Sequence, residues 1–262
     1  MLCYNGDGGG TMKALVTGAS SGIGREMAIY LGELGCDLIL VDKDKKGLEE
    51  VGSLIKTKVN LVVIDLSDEK RMMELYMITK NSGVDFLINN AGYGLFGDYN
   101  SVNIKDELNM IELNVKAVHF LTRMFLKDMV KKDKGYILNV ASSAGLLRGG
   151  PLMSTYYATK GYVVDFTLGI SEELRRNKSK VRVGVLCPGP VSTNFNKVAG
   201  VKFNISSLDA RYVARYAIDS FIRDKKLVIV PGFKVKMGVF FSRFVSMKRL
   251  LKITYNIQRK KK

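Results

Sequence analysis

The 262-residue sequence has no tryptophan, four prolines, three cysteines and one histidine. Cys3, Cys36 and Cys187 are odd in number, widely spaced and without a Cys-x-x-Cys pair. They read as reduced thiols, which argues against a disulfide frame and against a metal site. His119 falls inside a predicted helix, where packing or surface placement suits it better than catalysis. No apolar run approaches the roughly 20 residues needed to span a bilayer. The N-terminus lacks the basic region and apolar stretch of a signal peptide. These absences together predict a cytoplasmic protein. Nor does any internal repeat, low-complexity linker or break in composition divide the body of the chain, so one domain is expected.

Acidic residues are missing from one region only. Residues 225–262 hold twelve Lys/Arg and no Asp/Glu, so they carry +12 of the formal +16 and leave +4 for everything before them. The basic charge belongs to the tail, and the body is close to neutral.

The sequence is 47% apolar, ample for a core. Lys13-Ala14-Leu15-Val16-Thr17 is a short apolar run that reads as a buried strand. It enters Gly18-Ala19-Ser20-Ser21-Gly22-Ile23-Gly24, followed by an apolar-periodic helix over about 25–34 that Gly35 ends. A glycine turn between strand and helix has a physical use. Gly18 permits the tight turn, and Gly22 and Gly24 let the backbone approach a pyrophosphate at the helix N-terminus, where N–H groups and the dipole attract anions. A second strand over 37–41 ends at Asp42, about 20 residues on, where a carboxylate can accept from both ribose hydroxyls. That carboxylate repels a 2′-phosphate and favours NAD, whereas the adjacent Lys43 could accommodate NADP. NAD is favoured over NADP.

The alternation continues. Helices are predicted over 45–56, 68–81, 106–131 and 154–176. Strands are predicted over 61–64, 84–88, 136–140, 181–186 and 227–230. Apolar strands alternating with amphipathic helices mean an α/β fold, a Rossmann-type doubly wound parallel sheet covered on both faces.

Tyr156 and Lys160 lie one turn apart on the predicted helix over 154–176. A tyrosine hydroxyl titrates near ~10, and a fixed ammonium beside it favours the phenolate. The pair is a general acid/base candidate.

With these segments in place the sequence resembles the short-chain dehydrogenase/reductase family over about residues 13–230. The resemblance rests on Thr17-Gly18-x-x-x-Gly22-x-Gly24, Asp65-Leu66, Asn89-Asn90-Ala91-Gly92, Asn114-Val115, Ser142/Ser143, Tyr156-x-x-x-Lys160 and Pro188-Gly189-x-Val191-x-Thr193, in that order. It implies an NAD(P)-dependent oxidoreductase that interconverts a carbonyl and an alcohol. By resemblance, Tyr156 is the acid/base, Lys160 lowers its pKa and bonds the nicotinamide ribose, and a serine polarises the substrate oxygen. Asn114 would sit at a break in its helix and hold a water in a proton relay. Asp65 and Leu66 would contact adenine, with Asn90, Ala91 and Gly92 on the adenosine-ribose side. Val191 and Thr193, after Pro188-Gly189, would hold the carboxamide. Ser20, Ser21 and Ile23 complete the cofactor turn. Counting back from Tyr156 by the family spacing selects Ser143 as the serine. Counting forward from Gly135 selects Ser142, and the strand count is preferred because strand register is stiffer than a glycine loop. Ser142 is the first choice, with Ser143 beside it in substrate binding.

Apolar residues are expected to shape the substrate pocket: Phe195, Val198, Val201, Phe203 and Ile205 in a loop over 194–207, Leu146, Leu147, Leu152 and Met153 near the serine, and Tyr93, Leu95 and Phe96 after the Asn-Ala-Gly turn. They suggest a lipophilic substrate, although ordinary loop packing explains them equally well. The resemblance also implies a homodimer or homotetramer built on the helices over 106–131 and 154–176.

Residues 1–12 read as an arm, flexible or non-native, since Met12 would be a sensible start and Gly6-Asp7-Gly8-Gly9-Gly10 fits a purine-rich ribosome-binding site read as codons. The body spans 13–230. In the tail, 231–262, Phe240, Phe244, Met247 and Leu251 recur at helical spacing among Arg243, Lys248, Arg249 and Lys252, a basic amphipathic helix. It could lie on an anionic membrane surface as a peripheral contact, or cover the active-site mouth or a subunit interface. Nucleic acid is disfavoured because no groove-reading motif is evident. A non-catalytic dinucleotide sensor acting through this tail is the alternative to an enzyme.

Overall fold

The computed structural model describes residues 11–193 and 207–259. The arm expected over 1–12, except Thr11 and Met12, and the substrate loop over 194–207, except its last residue, lie outside them.

The described residues form β1 (Lys13–Thr17), α1 (Gly22–Glu33), β2 (Asp37–Asp42), α2 (Lys45–Ser53), β3 (Val59–Val63), α3 (Glu69–Thr79), β4 (Phe86–Asn89), α4 (Ile104–Ile111), a π-helical segment (Glu112–Ala117), α5 (Val118–Lys131), β5 (Tyr136–Val140), a short 3₁₀ turn (Ser143–Leu146), α6 (Ser154–Arg176), β6 (Arg182–Leu186), α7 (Ala210–Ile222), β7 (Val228–Ile229), α8 (Phe233–Ser242) and α9 (Met247–Arg259). The strands make one seven-stranded parallel sheet in the order β3-β2-β1-β4-β5-β6-β7. The order reverses between β1 and β4. A doubly wound sheet opens a crevice at that point, at the carboxyl ends of its strands.

Both sheet faces are covered, which is why the central strands are apolar without alternation. On one face Met27 and Leu31 of α1, Leu48 of α2 and Ile218 and Phe221 of α7 pack on Val16, Leu38 and Ile88. On the other, Leu75 of α3, Leu121 and Phe125 of α5 and Leu174 of α6 pack on Leu15, Ile39 and Ile137. Beneath the crevice lies a buried polar knot. Asn89 Nδ2 donates to Asn139 Oδ1 (2.8 Å) and Thr122 Oγ1 (3.0 Å), and Asn139 Nδ2 donates to Thr167 Oγ1 (3.0 Å), tying β4 and β5 to α5 and α6.

The structure departs from the sequence reading in four places. The single helix expected over 106–131 is α4, a π segment and α5. Helix α7, capped by the Asp209 side chain accepting from Tyr212 N at 2.8 Å, was not foreseen. The basic tail holds two helices, α8 and α9, where one was expected. The expectation of three reduced thiols fails at Cys36, which is disulfide-bonded, whereas Cys187 is free and buried. That bond removes one of the grounds for expecting a cytoplasmic protein.

Candidate active site

β1 delivers the chain into the glycine turn at the crevice. Gly18 and Gly22 have φ of +66° and +57°, a left-handed backbone that glycine adopts without strain. A Cβ at Gly18 would stand 2.8 Å from Ala91 Cα, and one at Gly24 would stand 2.2 Å from Gly18 O. The turn is therefore packed directly on the end of β4. Asn90 Nδ2 donates to Thr17 O (3.0 Å) and Gly18 O (3.1 Å), so this side chain braces the turn. Thr17 Oγ1 accepts from the Asn90 and Ala91 backbone N–H groups at 3.0 and 3.1 Å. Ser21, the N-cap of α1, makes no side-chain cap, and the first turn carries no acidic residue. The N–H groups and positive dipole end at Gly22 and Ile23 thus open on the crevice.

Asp42 closes the next corner. Its Oδ2 accepts from Ser20 N (3.1 Å) and Ser20 Oγ (2.7 Å), and its Oδ1 accepts from Asp44 N (3.1 Å). Lys43 reaches across to Asp65, with Nζ 3.8 Å from Oδ2. Burial pushes the Asp65 carboxyl up, but the Ser67 N–H and hydroxyl, with Lys43, hold it below its ordinary value.

The residues expected to carry the chemistry lie at the ends of β5 and β6 and the start of α6. Ser142 follows β5 in extended backbone and caps the 3₁₀ turn, its Oγ accepting from Ala144 N at 3.1 Å. Its Oγ also donates to Pro188 O at 3.4 Å, and both Ser142 and Tyr156 line the same cavity. The Ser143 backbone donates to Pro188 O at 2.8 Å, fixing the turn to the end of β6. Lys160 is buried, and its Nζ donates to Val140 O at 2.9 Å. Asn114 is carried on the π segment, a distortion that turns its side chain out of the helical ladder. Its Nδ2 donates to Tyr93 O (2.8 Å) and Thr159 Oγ1 (3.1 Å), and its Oδ1 accepts from Tyr93 N (3.1 Å). A Cβ at Gly92 would stand 2.7 Å from Asn114 Oδ1 and 3.3 Å from Lys160 Nζ, so only a glycine backbone fits between them.

Burial dominates the protonation of this cluster. It pushes the Tyr156 hydroxyl up to about 12, against the Ser142 hydrogen bond, which lowers it. It pulls the Lys160 ammonium down to about 8 and pushes the Cys187 thiol up to about 12. The expected lowering of the tyrosine by Lys160 is therefore not seen: desolvation penalises both charged forms, and the lysine spends its proton on a carbonyl.

One cavity of about 530 Å³ joins these parts. Gly18, Ser20, Ser21, Gly22, Ile23, Asp42, Lys43, Asp65, Leu66, Asn90, Ala91, Gly92, Ser142, Ser143, Tyr156, Lys160, Pro188, Gly189, Val191 and Thr193 all line it. Of the expected residues only Gly24 and Asn114 stand behind the wall, Gly24 against Gly18 and Asn114 against Gly92. The apolar end is walled by Met153, Ala144 and Tyr157, in a cluster with Met110, Tyr93, Leu95 and Phe96. Leu146 instead packs beside Val163 and Val185, and Leu95 and Leu152 border a smaller cavity of about 220 Å³ beside Tyr255. Tyr157 and Gln258 escaped the sequence reading. Tyr157 was hidden by its neighbour's stronger motif. Gln258 sits in the tail, where the only hint was a polar residue one turn after Thr254 on an otherwise apolar and basic helix.

The residues present fit a nicotinamide dinucleotide. The fit rests on uncapped N–H groups at α1, on the Asp42 carboxylate lining the same cavity beside Ser20, and on a Gly22 whose absent side chain leaves its Cβ position 3.2 Å from Thr193 Cγ2. A family model described as short chain dehydrogenase matches residues 12–202. Estradiol 17-beta-dehydrogenase 11 of Rattus norvegicus is 28% identical over 253 residues, covering 92% of this chain and 84% of that protein. An uncharacterized short-chain type dehydrogenase/reductase, y4eK, of Sinorhizobium fredii is 37% identical over 188 residues, covering 71% and 72%. A short-chain dehydrogenase of Sphingobium yanoikuyae in complex with NADPH superposes with a TM-score of 0.80 at 25% identity, covering 89% of this chain and 93% of that one. One from Burkholderia phymatum in complex with NAD gives 0.80 at 26%, covering 88% and 92%. Fold, site and sequence thus agree, and the chain belongs to the short-chain dehydrogenase/reductase family of NAD(P)-binding oxidoreductases.

Proposed function

We propose that this oxidoreductase interconverts a carbonyl and an alcohol on a lipophilic substrate, with NAD preferred to NADP. The observation that carries the reading is that Ser142, Tyr156, Lys160 and the glycine turn all line one cavity. When bound, the dinucleotide supplies the hydride chemistry. The chain supplies the proton and the alignment. Tyr156 holds its proton firmly, as reduction requires, and delivers it to the carbonyl oxygen. In the reverse direction it takes the alcohol proton. Ser142 Oγ lies beside it and donates to the same oxygen, sharing the charge that develops there. Lys160 would offer its ammonium to the nicotinamide ribose, and Asn114 fixes the Tyr93 and Thr159 segments around it.

Asp42 supports the NAD preference, because its carboxylate lines the cavity beside the glycine turn, where it would accept from ribose hydroxyls and repel a 2′-phosphate, whereas Lys43 is drawn towards Asp65. The apolar wall of Met153, Ala144 and Tyr157 supports a lipophilic substrate, and two relatives are named for estradiol and a hydroxysteroid. The sensor alternative is not favoured, since a sensor has no use for the serine, tyrosine and lysine gathered here.

Two surfaces support partners. Phe233, Phe240, Phe241 and Phe244 are exposed in and after α8, among Lys234, Lys236 and Arg243, a composition suited to an anionic lipid interface. Among the described residues no helix is long and apolar enough to cross a membrane. Exposed Ile104, Leu108 and Ile111 on α4 suit self-association into a homodimer or homotetramer.

Fluorescence titration of NADH and NADPH on wild type and Asp42→Ala tests the cofactor assignment. Tighter NADH binding, weakened in the variant, supports it. Tighter NADPH binding that the variant leaves unchanged or improves transfers the specificity to Lys43 and overturns it.

A further inference from the structure

Helix α9 turns a polar face inward. Its buried residues are Thr254 and Gln258, one turn apart, whereas Ile253, Tyr255 and Ile257 are exposed. Gln258 is 2% exposed and lines the same cavity as Ser142 and Tyr156. Its Nε2 donates to Tyr157 OH at 2.8 Å, and its Oε1 has no hydrogen-bond partner. A buried amide oxygen without a partner is costly and rare in a folded protein. The seat of the helix is specific. A Cβ at Gly149 would stand 2.7 Å from Leu251 Cδ2, and one at Gly150 would stand 2.1 Å from the Tyr157 ring. Gly149 and Gly150 are thus the floor on which α9 and Tyr157 rest. Tyr157 in turn stands edge-on to Tyr156, with ring centroids 6.4 Å apart and planes at 77°.

We infer that Gln258, positioned by Tyr157, is a substrate subsite that hydrogen-bonds a hydroxyl group carried on the lipophilic substrate away from its reacting carbon. The inference rests on the carbonyl/alcohol reading for the identity of the reacting end. A hydroxyl is the class that fits, because it both donates and accepts and so satisfies the amide in either orientation about Tyr157. Its substrate is then amphiphilic, with an apolar body against Met153 and Ala144 and a second polar end under α9. A site built around a hydroxyl discriminates against the analogue lacking it more strongly than an apolar wall discriminates by size.

The test is binding calorimetry on the full chain in the presence of NADH, so that alcohols bind without turnover. The probes are a medium-chain secondary alcohol and a set of diols of the same chain, with the second hydroxyl moved stepwise away from the first. Wild type binds one member of the diol set about tenfold more tightly than the plain alcohol, the size of one net hydrogen bond. Gln258→Leu brings that ratio close to one. Thr254→Val, on the same buried face, leaves the ratio intact and shows that the loss belongs to the amide rather than to the seating of the helix. Equal affinity for every diol and the plain alcohol in wild type overturns the inference, and so does a preference that survives in Gln258→Leu. Turnover of the matching ketones is read separately. Its absence would defeat the carbonyl/alcohol reading, while the binding ratio still decides the subsite.

Discussion

Lys160 is placed where the fold must bear a cost for it. Its side chain is buried beneath the crevice and donates one hydrogen bond, to Val140 O at 2.9 Å. Burial pulls its pKa from 10.5 to about 8. The folded state therefore disfavours the charged form that the unfolded chain carries up to its ordinary pKa. Between pH 8 and 10.5 the unfolded chain binds more protons than the folded one, so stability rises with pH across that window. Below it the whole penalty is present, about 3 kcal/mol at neutral pH. Replacing Lys160 with Met keeps a long unbranched side chain and removes the charge. The lost hydrogen bond gives back about 1 kcal/mol. Lys160→Met is therefore expected to be more stable than wild type by about 2 kcal/mol at pH 7, or roughly 4–8 °C in melting temperature for a domain of this size, while losing activity. The gain should shrink steadily as pH rises above 8, reach zero near pH 10 and reverse above the ordinary lysine value of 10.5, where only the lost hydrogen bond, about 1 kcal/mol in favour of wild type, remains. Urea denaturation of both proteins at a series of pH values reads this directly. A variant less stable than wild type at pH 7, or a difference that does not change with pH, would refute the burial argument and show that the ammonium is better solvated than the structure makes it.

Three further outcomes follow from the same geometry. Ser142→Ala should lower kcat/KM by a factor on the order of 100, the usual worth of one aimed donor, whereas Ser143→Ala, whose backbone holds Pro188, should change it by only a few fold; steady-state kinetics on the two variants separates them, and the opposite ranking restores the count made back from Tyr156. Gly18→Ala places a side chain at φ +66° and 2.8 Å from Ala91 Cα, so dinucleotide affinity measured by fluorescence should collapse, and unchanged affinity would contradict the packing of the turn. Asn139→Ala leaves Asn89 Nδ2 and Thr167 Oγ1 each short of a partner, at an expected cost of about 2–3 kcal/mol in urea denaturation, with cofactor affinity nearly unchanged.

The parts that sequence revealed are those whose signal is local. The glycine turn declares itself because a left-handed backbone at Gly18 and Gly22 is written in the residue type itself. Tyr156 and Lys160 declare themselves because one helical turn fixes their relation whatever the rest of the chain does. Ser142 was reachable through strand register: β5 ends at Val140, and the chain leaves it in an extended conformation, which sets the next side chains. Helix α7 was also written locally. Val213, Ala217, Ile218 and Phe221 recur at helical spacing behind the cap at Asp209, and the pattern was overlooked beside the loop that precedes it.

What sequence could not reveal depends on what comes to lie against what. The one-turn spacing of Tyr156 and Lys160 predicts an attraction between a phenolate and an ammonium. Only the depth at which both are buried shows that desolvation outweighs it and sends their pKa values in directions that favour the neutral forms. Cys36 read as a lone thiol because no Cys-x-x-Cys pair or regular spacing marks it, and a disulfide depends on which residues the fold brings together. The tail is the sharpest case. Its phenylalanines and basic residues dominate the pattern and suggest an apolar face for a membrane surface, the active-site mouth or a subunit interface, yet the residues α9 buries are Thr254 and Gln258, with Ile253 and Ile257 left outside. A helix that turns Gln258 into a cavity, half-buries Leu250 and Leu251 and leaves Ile253 and Ile257 in solvent gains only part of the hydrophobic burial open to it. Its placement makes physical sense if the buried amide meets a polar group of a ligand, and if the exposed face meets something other than water.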